Sequence, residues 1–465
     1  MNVLFHNARI LTLNDSMEIM EGELWVRGDE IVNIVRIPET PEDTNLTNSN
    51  IVNNEHVTNK ENVLDKENIS SKERILNEKE TITFDRVIDC NKNLLMPGFK
   101  DAHTHSAMTG MRSIAEDLPL QEWLTKLVFP MEAKFTEEDI YQFTRLAILE
   151  YLTSGITACF DMYFAPKTVA RACADMGMRC VLVGGLNNFS LSAKQCENDF
   201  LELNQYHPLI SYQFGFHAEY TCHKELLQEL AALSHKYKAP VYAHVSETRQ
   251  EADDCREKYN MSPVEFLNSL GMFDYGGGIY HGIYVTDHDI AILKEKNVFP
   301  ITNPGSNLKL ASGIAPIKDY KKAGLKIAIG TDGPASNNCL DMFREMFLVL
   351  GLSNVRENDA AAIGADDVLT MATVNGAHAM RLYNADVLDI GKKADLIMLD
   401  LHQPNMQPLN NITKNIVLSG SKQNVKLTMI NGNILYENNE FLRGIDPEEI
   451  YANVANIVQR LLKQI

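Results

Sequence analysis

The amino-acid sequence predicts an α/β protein: a (β/α)8 TIM-like barrel joined to a small composite β-sandwich domain that both chain ends build. Between Gly98 and Gly333, eight short apolar runs alternate with amphipathic helical patterns, the order of elements expected in such a barrel. The stretches before Pro97 and after about Asp389 consist instead of short strands and turns of similar character. At 465 residues the chain exceeds the usual size of one core. A doubly wound open sheet is the alternative for the central region.

The N-terminal stretch MNVLFHNARILTLND lacks the basic and apolar regions of a signal peptide, so we expect it to form the first strand. The strand-like runs ELWVRGDEIVNIVRI and TFDRVIDCNKNLLMPGF flank a segment of different composition, Pro38–Thr81. This segment is rich in Asn, Glu, Lys, Ser and Thr and contains no Gly, Phe, Tyr or Trp. Its sparse apolar residues predict a disordered or loosely helical insertion between neighbouring strands. A solvated loop is the expected role, and a partner-binding segment is the alternative.

The eight predicted barrel strands are short and mostly apolar. In chain order they are GFKDAH, ITACFDMY, CVLVGGL, ISYQFGFHA, PVYAHVSE, GIYHGIYV, VFPITN and KIAIGTDG. Helical periodicity is seen between them in TEEDIYQFTRLAILEYLTSG, KELLQELAALSHKYK and TDHDIAILKEKN, and the first helix is expected to contain LPLQEWLTKLV. Near the C-terminus, KKADLIMLD and VKLTMINGNILYENNEF predict strands, and PEEIYANVANIVQRLLKQI predicts an amphipathic helix.

These patterns divide the chain into four parts. We expect residues 1–96 to form the N-terminal part of the β-sandwich domain and residues 97–385 to form the barrel. We expect residues 386–445 to complete the β-sandwich domain and residues 446–465 to form the terminal helix.

The composition restricts the function classes. Hydrophobic residues make up 45% and charged residues 23%, as in an ordinary globular protein, and no apolar run is long enough to span a bilayer. The net charge of −19 argues against a nucleic-acid partner, because phosphates need a basic surface. Eight cysteines without a Cys-x-x-Cys pair predict reduced, mostly buried thiols in a cytoplasmic protein. We therefore expect a small-molecule substrate and no membrane partner; the sequence leaves open whether the chain forms a homo-oligomer.

The stretch LLMPGFKDAHTHSAMTG places His103 and His105 one residue apart at the end of a predicted buried strand. Residues i and i+2 of a strand point to the same face, so both imidazoles leave the strand end together. Such a pair suits a metal ion, although an H-x-H pattern alone also occurs by chance. Other predicted strand ends carry further groups of the same kind: His217, His244, Glu247, His281 and Asp332.

A single strand histidine is usually a hydrogen-bonded core residue, and TDG is a common turn. The gathering of several such groups at the catalytic ends of separate barrel strands indicates a site instead. The remaining histidines of this region lie on predicted loops or helices and are expected at the surface: His207, His223, His235 and His288.

Several motifs together resemble the metal-dependent amidohydrolase superfamily. They are PGFKDAHTH, HVSET, SNLKLASGIAP, GTDGPASNN and GKKADLIMLD. The runs EDLPLQEWL, FPMEAK and EED are also similar to the branch of 5-methylthioadenosine/S-adenosylhomocysteine deaminases. The resemblance covers essentially the whole chain except the insertion, and it implies a barrel with a composite β-sandwich domain.

The resemblance implies one divalent metal per chain, most simply zinc, held by His103, His105, His244 and Asp332. Three neutral imidazoles and a carboxylate around an ion with one open position are sound zinc chemistry, and iron accepts similar ligands. Dinuclear relatives bridge two metals with a carboxylated lysine at the end of the fourth strand. The run LISYQFGFHAEYTC contains no lysine, which favours a single metal.

The resemblance also implies a hydrolytic deamination in which metal-activated water attacks the amine-bearing carbon of a purine ring. In this reaction Glu247 would protonate the adjacent ring nitrogen, Asp332 would accept the water proton, and His281 would orient the water. The substrate-binding positions implied by the family are Trp123, Glu132, His217, Glu247 and Ser336. On the sequence alone, Trp123 is better explained as a core residue and Glu132 as a helix-surface charge.

Three departures from the family pattern affect the expected specificity. The run TNPGSN has Thr302 where histidine is common, HAEY has Glu219 in place of proline, and HGIYV replaces the usual H-C-V. None of them removes a metal ligand, but the first two are expected to reshape the substrate pocket.

Two further alternatives stay open. One is hydrolysis of another amino- or halo-substituted ring, such as guanine or an aminotriazine, since these substrates also need a protonated ring nitrogen. The other is a non-catalytic scaffold, against which the complete ligand set argues. For the choice among nucleosides, the resemblance implies that enzymes accepting S-adenosylhomocysteine can hold its carboxylate with arginines near the third strand. In this chain Gly184 stands at that position, Lys194 is the single cation of the following loop, and Arg179 should lie at the far end of its strand. Neutral 5′ substituents are therefore expected to be preferred.

Overall fold

The computed structural model describes residues 1–14, 16–37, 72–77, 80–114 and 117–464. Nineteen strands lie within these ranges, and most of them belong to two sheets. In chain order they are β1 Asn2–Leu11, β2 Ile19–Arg27, β3 Glu30–Arg36, β4 Glu73–Asn77, β5 Glu80–Thr83, β6 Arg86–Asp89, β7 Leu94–Pro97, β8 Phe99–Thr104, β9 Ile156–Tyr163, β10 Arg179–Gly184, β11 Ile210–Ala218, β12 Val241–Val245, β13 Gly277–His281, β14 Val298–Thr302, β15 Ala328–Ile329, β16 Leu396–Leu399, β17 Val425–Ile430, β18 Asn433–Glu437 and β19 Glu440–Phe441.

Sixteen α-helices lie in the same ranges, mainly between the strands of the second sheet. They are α1 Leu120–Trp123, α2 Phe129–Glu132, α3 Glu137–Thr153, α4 Pro166–Met176, α5 Ala193–Leu203, α6 Lys224–Tyr237, α7 Arg249–Tyr259, α8 Pro263–Ser269, α9 Asp287–Glu295, α10 Pro304–Lys309, α11 Ile317–Lys322, α12 Met342–Glu357, α13 Ala365–Ala372, α14 Val374–Ala379, α15 Ile412–Leu418 and α16 Pro447–Leu462. None of the helices in the described ranges combines the length and apolarity needed to cross a bilayer.

The first sheet confirms that both chain ends build one β-domain. Its strand order is β19-β18-β17-β16-β7-β1-β2-β3, with β6 paired to β1. The join between the two ends is the antiparallel pair β7–β16, in which Leu95 lies opposite Met398. Alternating residues of these strands, including Phe5 and Leu427, bury a separate apolar core. The complete sheet therefore needs strands from both ends of the chain, which pair across some 300 intervening residues.

The second sheet confirms the predicted barrel. Strands β8 to β15 pair in chain order, each parallel to its neighbour, and a parallel bridge between Thr104 and Asp332 joins the first strand to the last. Strands β8, β9 and β10 are buried at every residue, as expected for strands covered on both faces. Bulky side chains such as Phe160, Tyr242 and Tyr280 fill the interior.

The eighth barrel strand is much shorter than the predicted run KIAIGTDG. Only Ala328 and Ile329 pair as a strand, and the chain then turns away through Asp332, whose φ is 61°. The turn is held by Asp101, whose carboxylate accepts hydrogen bonds from the Thr331 amide at 2.8 Å and the Thr331 hydroxyl at 2.6 Å. This turn ends the strand before Asp332 and directs the Asp332 side chain away from the strand.

The region of the predicted first helix is more irregular than expected. Helices α1 and α2 flank a π-helical segment at Leu124–Val128, so the chain remains helical from Leu120 to Glu132 with one widened turn. The predicted helix at the end of the chain is α16. It packs on α3, and Glu449 of α16 forms a 2.9 Å ion pair with Arg145 of α3.

The predicted insertion is only partly within the described residues, since residues 38–71 lie outside them. Its last part is neither disordered nor helical: Glu73–Asn77 pairs with Glu80–Thr83 as an antiparallel hairpin. Leu76 packs against a small cluster that contains Trp25 and Phe84, whose rings meet edge to face at 5.7 Å. Composition missed this hairpin because its apolar contacts come from the neighbouring sheet.

Candidate functional site

The structure brings the candidate side chains together at the carboxyl end of the barrel. Strands β8, β11, β12 and β13 end at or next to the histidines, and Asp332 follows β15. Parallel strands present their carboxyl ends at the same edge, which is why residues so far apart in sequence converge. The convergent set is His103, His105, His217, His244, His281 and Asp332.

Four of these residues form a compact ligand set. The ligand atoms of His103, His105, His244 and Asp332 all lie within 4.8 Å of one another, and all four residues are buried. Asp332 Oδ1 is 3.4 Å from His103 Nε2 and 3.2 Å from His105 Nε2. His244 Nε2 lies 3.3 Å from His105 Nε2. Buried nitrogens and oxygens that crowd one point in this way have the donor chemistry of a divalent metal site.

The hydrogen bonds around the imidazoles fit the same interpretation. His105 Nδ1 donates to the Met162 carbonyl at 2.7 Å, and His244 Nδ1 donates to the His217 carbonyl at 2.7 Å. A carbonyl can only accept, so each ring carries a proton on Nδ1 and directs Nε2 to the cluster. Neither ring nitrogen of His103 has a hydrogen bond among the described residues, and burial lowers its pKa to about 3. A neutral, unsatisfied imidazole at this position fits a metal ligand.

The orientation of Asp332 is fixed by its own turn. The Gly333 amide donates to Oδ1 at 2.8 Å, and the Ser336 hydroxyl donates to Oδ2 at 3.1 Å. Burial alone would raise the pKa of Asp332, but the close contacts with the imidazoles of His103 and His105 outweigh it and hold this pKa well below its usual value. Asp332 is therefore a charged carboxylate that Ser336 positions.

Glu247 and His281 lie beside the ligand set. His281 Nε2 is 3.7 Å from Glu247 Oε2 and 3.9 Å from Asp332 Oδ2, while Nδ1 donates to Asn307 Oδ1 at 2.7 Å. The Ser312 hydroxyl contacts Glu247 Oε1 at 3.4 Å, and burial raises the pKa of Glu247. This arrangement places one imidazole between two carboxylates, beside the ligand set.

A cavity of about 430 Å3 extends from this cluster towards solvent. Trp123 is part of its wall and is also largely buried. Glu132 faces the cavity and accepts a 2.8 Å hydrogen bond from the Tyr163 hydroxyl, and burial raises its pKa to about 7. His217 is held through Nδ1 by the Thr221 hydroxyl at 3.1 Å. The volume is typical of a small-molecule pocket.

The outer rim of the cavity is apolar and aromatic. The side chains of Phe129 and Phe189 line it although they are 40% and 86% exposed. The Asn187 side chain accepts hydrogen bonds from the amides of Phe189 and Ser190, which holds the loop that presents Phe189. Among the described residues, no lysine or arginine lines this cavity.

The expected effect of two departures on the pocket is not seen. Thr302 and Glu219 are both buried, and neither is among the described residues that line the cavity. Glu219 instead faces Lys258 of α7 at 3.6 Å. Both side chains are therefore buried without forming part of the described cavity wall.

The three positions considered for carboxylate binding also lie away from the cavity wall. A Cβ at Gly184 would come within 2.5 Å of the Tyr212 hydroxyl, so a larger side chain there requires rearrangement. Lys194 pairs with Glu197 at 2.8 Å, and Arg179 lies at the start of β10, bonded to Asp395. The predicted far-end position of Arg179 is correct.

Several residues with clear positions at the site were not identified by sequence reasoning. Tyr163 orients Glu132, Asn307 orients His281, and Ser312 contacts Glu247. Asn307 and Ser312 lie within the quoted motif SNLKLASGIAP, which was the available signal. Tyr163 and the rim residue Phe189 have no comparable signal, because an aromatic residue at a strand end or in a loop is common.

The sequence of the chain is similar to an established family. Residues 94–435 match the profile of the amidohydrolase family. A protein named 5-methylthioadenosine/S-adenosylhomocysteine deaminase from Thermoanaerobacter pseudethanolicus is 35% identical, with 100% of both chains covered. A protein of the same name from Syntrophomonas wolfei is 40% identical over 82% of this chain and 89% of its own.

Solved structures show the same architecture. An adenosine deaminase from Xanthomonas campestris with bound zinc superposes with a TM-score of 0.85 at 28% identity, covering 99% of this chain and 98% of its own. Atrazine chlorohydrolase from Arthrobacter aurescens, complexed with zinc, gives a TM-score of 0.81 at 20% identity and covers 98% of this chain and 100% of its own. The second likeness concerns the fold alone.

Proposed function

We propose that this chain, which belongs to the amidohydrolase family, is a metal-dependent hydrolase that deaminates an adenine nucleoside to the inosine analogue and ammonia. The observation that carries the proposal is the position of Glu247 and His281 next to the four-residue ligand set, at the end of a cavity of about 430 Å3. The relatives with 34–40% identity are named for this chemistry, which supports the reaction type.

In this proposal the ligand set His103, His105, His244 and Asp332 holds one divalent ion, zinc or iron. When bound, the metal supplies a water of lowered pKa as the nucleophile. Burial lowers the pKa of His103 and of His244, which keeps these two imidazoles neutral. Burial acts in the same direction on His105, but its contact with the Asp332 carboxylate outweighs it and raises the pKa of His105 to about 9. Carbonyl acceptors hold Nδ1 of His105 and of His244, so Nε2 of each ring faces the ligand set.

The proton transfers are assigned to the neighbouring groups. Glu247, whose pKa is raised by burial, donates a proton to the ring nitrogen next to the amine-bearing carbon. Asp332 accepts a proton from the attacking water and passes it to the departing amine, which leaves as ammonia, and His281, within 4 Å of both carboxylates, orients the water. Because Nδ1 of His281 donates to Asn307, Nε2 is the ring nitrogen that faces the cluster.

The nucleoside portion is assigned to the inner cavity wall. Glu132, held by Tyr163, offers carboxylate oxygens to sugar hydroxyls, and His217 offers Nε2 because Thr221 occupies Nδ1. Trp123 supplies a flat apolar surface, and Ser336 acts by positioning Asp332. These assignments let Glu132 and His217 form hydrogen bonds with the nucleoside.

The rim favours a substrate whose 5′ substituent is neutral. The described lining residues include the exposed rings of Phe129 and Phe189 and no cationic side chain, so an amino-acid carboxylate has no guanidinium or ammonium partner there. A methylthio group or a plain 5′ carbon instead covers exposed apolar surface. Methylthioadenosine, adenosine and 5′-deoxyadenosine are therefore the proposed substrates ahead of S-adenosylhomocysteine.

A reducing, cytoplasmic location is part of the proposal, since all eight cysteines are free thiols.

Ammonia release from a panel of purine nucleosides, guanine and an aminotriazine tests the reaction. We expect the adenine nucleosides to be deaminated with the highest kcat/KM. Activity confined to guanine or the aminotriazine would contradict the nucleoside assignment while leaving the metal site intact.

Elemental analysis of the purified chain tests the metal assignment. We expect one ion per chain in the parent and loss of this ion in His244→Ala. Cys173→Ser is the matched control, because Cys159, Cys173 and Cys180 form the other described cluster whose ligand atoms lie within 4.8 Å. Two ions per chain, or full activity without metal, would overturn the assignment.

A further inference from the structure

A second cavity, of about 420 Å3, is formed by residues that follow strands β12 and β13 and by the end of helix α12. Three arginines line it: Arg249 and Arg256 on α7, and Arg356 on α12. In a chain with a net charge of −19, three guanidinium groups around one concavity create a locally positive surface.

Two of the arginines have only partial local partners. Arg256 Nη1 is 3.3 Å from Asp253 Oδ1. Arg356 donates through Nη1 to the Ile314 carbonyl at 2.7 Å, and its Nε lies 3.6 Å from Glu357. A guanidinium has five N–H donors, so these contacts leave donors on both side chains for a ligand.

The third arginine contacts a ring instead of a carboxylate. Arg249 lies over the ring of Tyr284, 5.0 Å from its centre, and has no ion pair within the described residues. Three guanidinium groups therefore share the region with two carboxylates, and the excess charge is positive. Arginine forks match the oxygens of a phosphoryl group, which can accept from several guanidinium groups at once.

We propose that the cavity defined by Arg249, Arg256 and Arg356 binds a phosphoryl group, either as free phosphate or as a phosphate monoester. It is separate from the catalytic cavity, whose described lining contains none of these residues. The apolar wall formed by Ile283 and Val285 accommodates the carbon part of an ester.

The cavity is connected to the catalytic acid by a short chain of contacts. The Tyr284 hydroxyl donates to the Ser312 carbonyl at 2.8 Å, and the Ser312 hydroxyl contacts Glu247 at 3.4 Å. The Tyr284 amide also donates to the Ser246 carbonyl at 2.9 Å, directly before Glu247. A phosphoryl group that draws Arg249 away from Tyr284 changes the contacts through which Tyr284 and Ser312 hold Glu247 in position. Binding is therefore expected to alter turnover.

Titration calorimetry of the metal-loaded protein with inorganic phosphate and with glycerol 3-phosphate tests binding. We expect Arg256→Ala and Arg356→Ala each to weaken binding at least about tenfold, since each removes one guanidinium fork. Arg36→Ala is the matched control: Arg36 is 55% exposed, pairs with Glu18 and carries the same charge. Equal affinity in all four proteins, or no binding of either probe, would overturn the proposal. The tighter of the two probes identifies the source of the phosphoryl group.

Initial rates with and without inorganic phosphate at constant ionic strength test the connection. We expect phosphate to change kcat/KM at least about twofold in the parent and in Arg36→Ala, and not in the Arg256→Ala/Arg356→Ala double variant. An equal effect in all proteins would indicate metal chelation and would contradict the connection to Glu247. Because calorimetry needs no substrate, failure of the proposed deamination would leave the binding result intact.

Discussion

The two ends of the barrel both bury charged groups, but they satisfy them to different degrees. At the amino end, Arg179 donates to both oxygens of Asp395, at 2.5 and 2.9 Å, and Lys100 donates to the Gly98 carbonyl and the Thr157 hydroxyl. At the carboxyl end, by contrast, the nitrogens of His103 have no hydrogen bond to any residue that the structure describes, and three imidazoles and a carboxylate crowd together.

The difference separates a structural from a functional use of buried charge. The Arg179–Asp395 pair joins the barrel to the β-domain, because Asp395 also accepts from the Asn431 amide at 2.7 Å. Its donors and acceptors are matched, as stability requires. The carboxyl-end cluster leaves lone pairs unmatched, which costs stability in the absence of a bound ion and is retained where binding compensates. Mutations at the two ends should therefore affect different properties.

The largest effect is expected for Asp332→Asn. This change removes a charged ligand and the proposed proton acceptor together, so we expect kcat to fall more than about 1,000-fold, which corresponds to roughly 4 kcal/mol in the barrier. Far-ultraviolet circular dichroism should be unchanged, and the metal content should fall. A variant that keeps its metal and turns over at the parental rate would contradict both roles.

Glu247→Gln should separate acid catalysis from metal binding. The amide retains the shape of the side chain but cannot donate the acidic proton, so we expect kcat to fall about 10²–10⁴-fold. In contrast to Asp332→Asn, elemental analysis should still find the full metal content, because Glu247 is outside the ligand set. Near-parental turnover would show that another group protonates the ring.

At the opposite end of the barrel, Asp395→Asn should impair stability and not chemistry. Arg179 would remain buried without a countercharge, which typically costs about 3–5 kcal/mol. We expect urea unfolding to show this loss while kcat of the folded protein stays within about twofold of the parent. Glu18→Gln, which breaks the exposed pair with Arg36, is the control and should cost less than about 1 kcal/mol. Equal losses in the two variants would remove the distinction between the ends.

The contrast also explains what the sequence could predict. The sequence predicts the ligand set because His103 and His105 share a strand face and because the strand ends of a barrel converge. It does not predict the Arg179–Asp395 pair, since this pair joins residues 216 positions apart on different domains. The sequence predicts too long a strand β15, because the apolar run KIAIG does not reveal that Asp332 has a left-handed φ, which turns the chain away. Local patterns predict elements and strand ends, whereas side-chain partners depend on the packing of distant segments.

A smaller effect is expected at the rim of the functional end. We expect methylthioadenosine to exceed S-adenosylhomocysteine in kcat/KM by about tenfold, which is roughly 1.4 kcal/mol of transition-state preference. Phe189→Ala should reduce this ratio, because it removes the apolar ring that a neutral 5′ substituent covers. Phe347→Ala is the control and should leave the ratio unchanged, because this 52% exposed ring lies outside the described cavity wall. A tenfold preference for S-adenosylhomocysteine in the parent would refute the argument from the missing cation.

The smallest effect is expected for replacing residues 38–71 by a short Gly-Ser linker. The composition of this stretch cannot build a core, and the entropy of closing a loop changes by only about 0.6 kcal/mol for each doubling of its length. We therefore expect the melting temperature and kcat/KM to stay close to the parental values, within a few degrees and a few-fold.

Extending the replacement to Thr81 removes strand Glu73–Asn77 and the contact of Leu76 with the cluster around Trp25. That longer replacement should lower the melting temperature measurably, because it exposes an apolar face of the β-domain. If the shorter replacement is as damaging as the longer one, residues 38–71 contribute packing that their composition does not reveal.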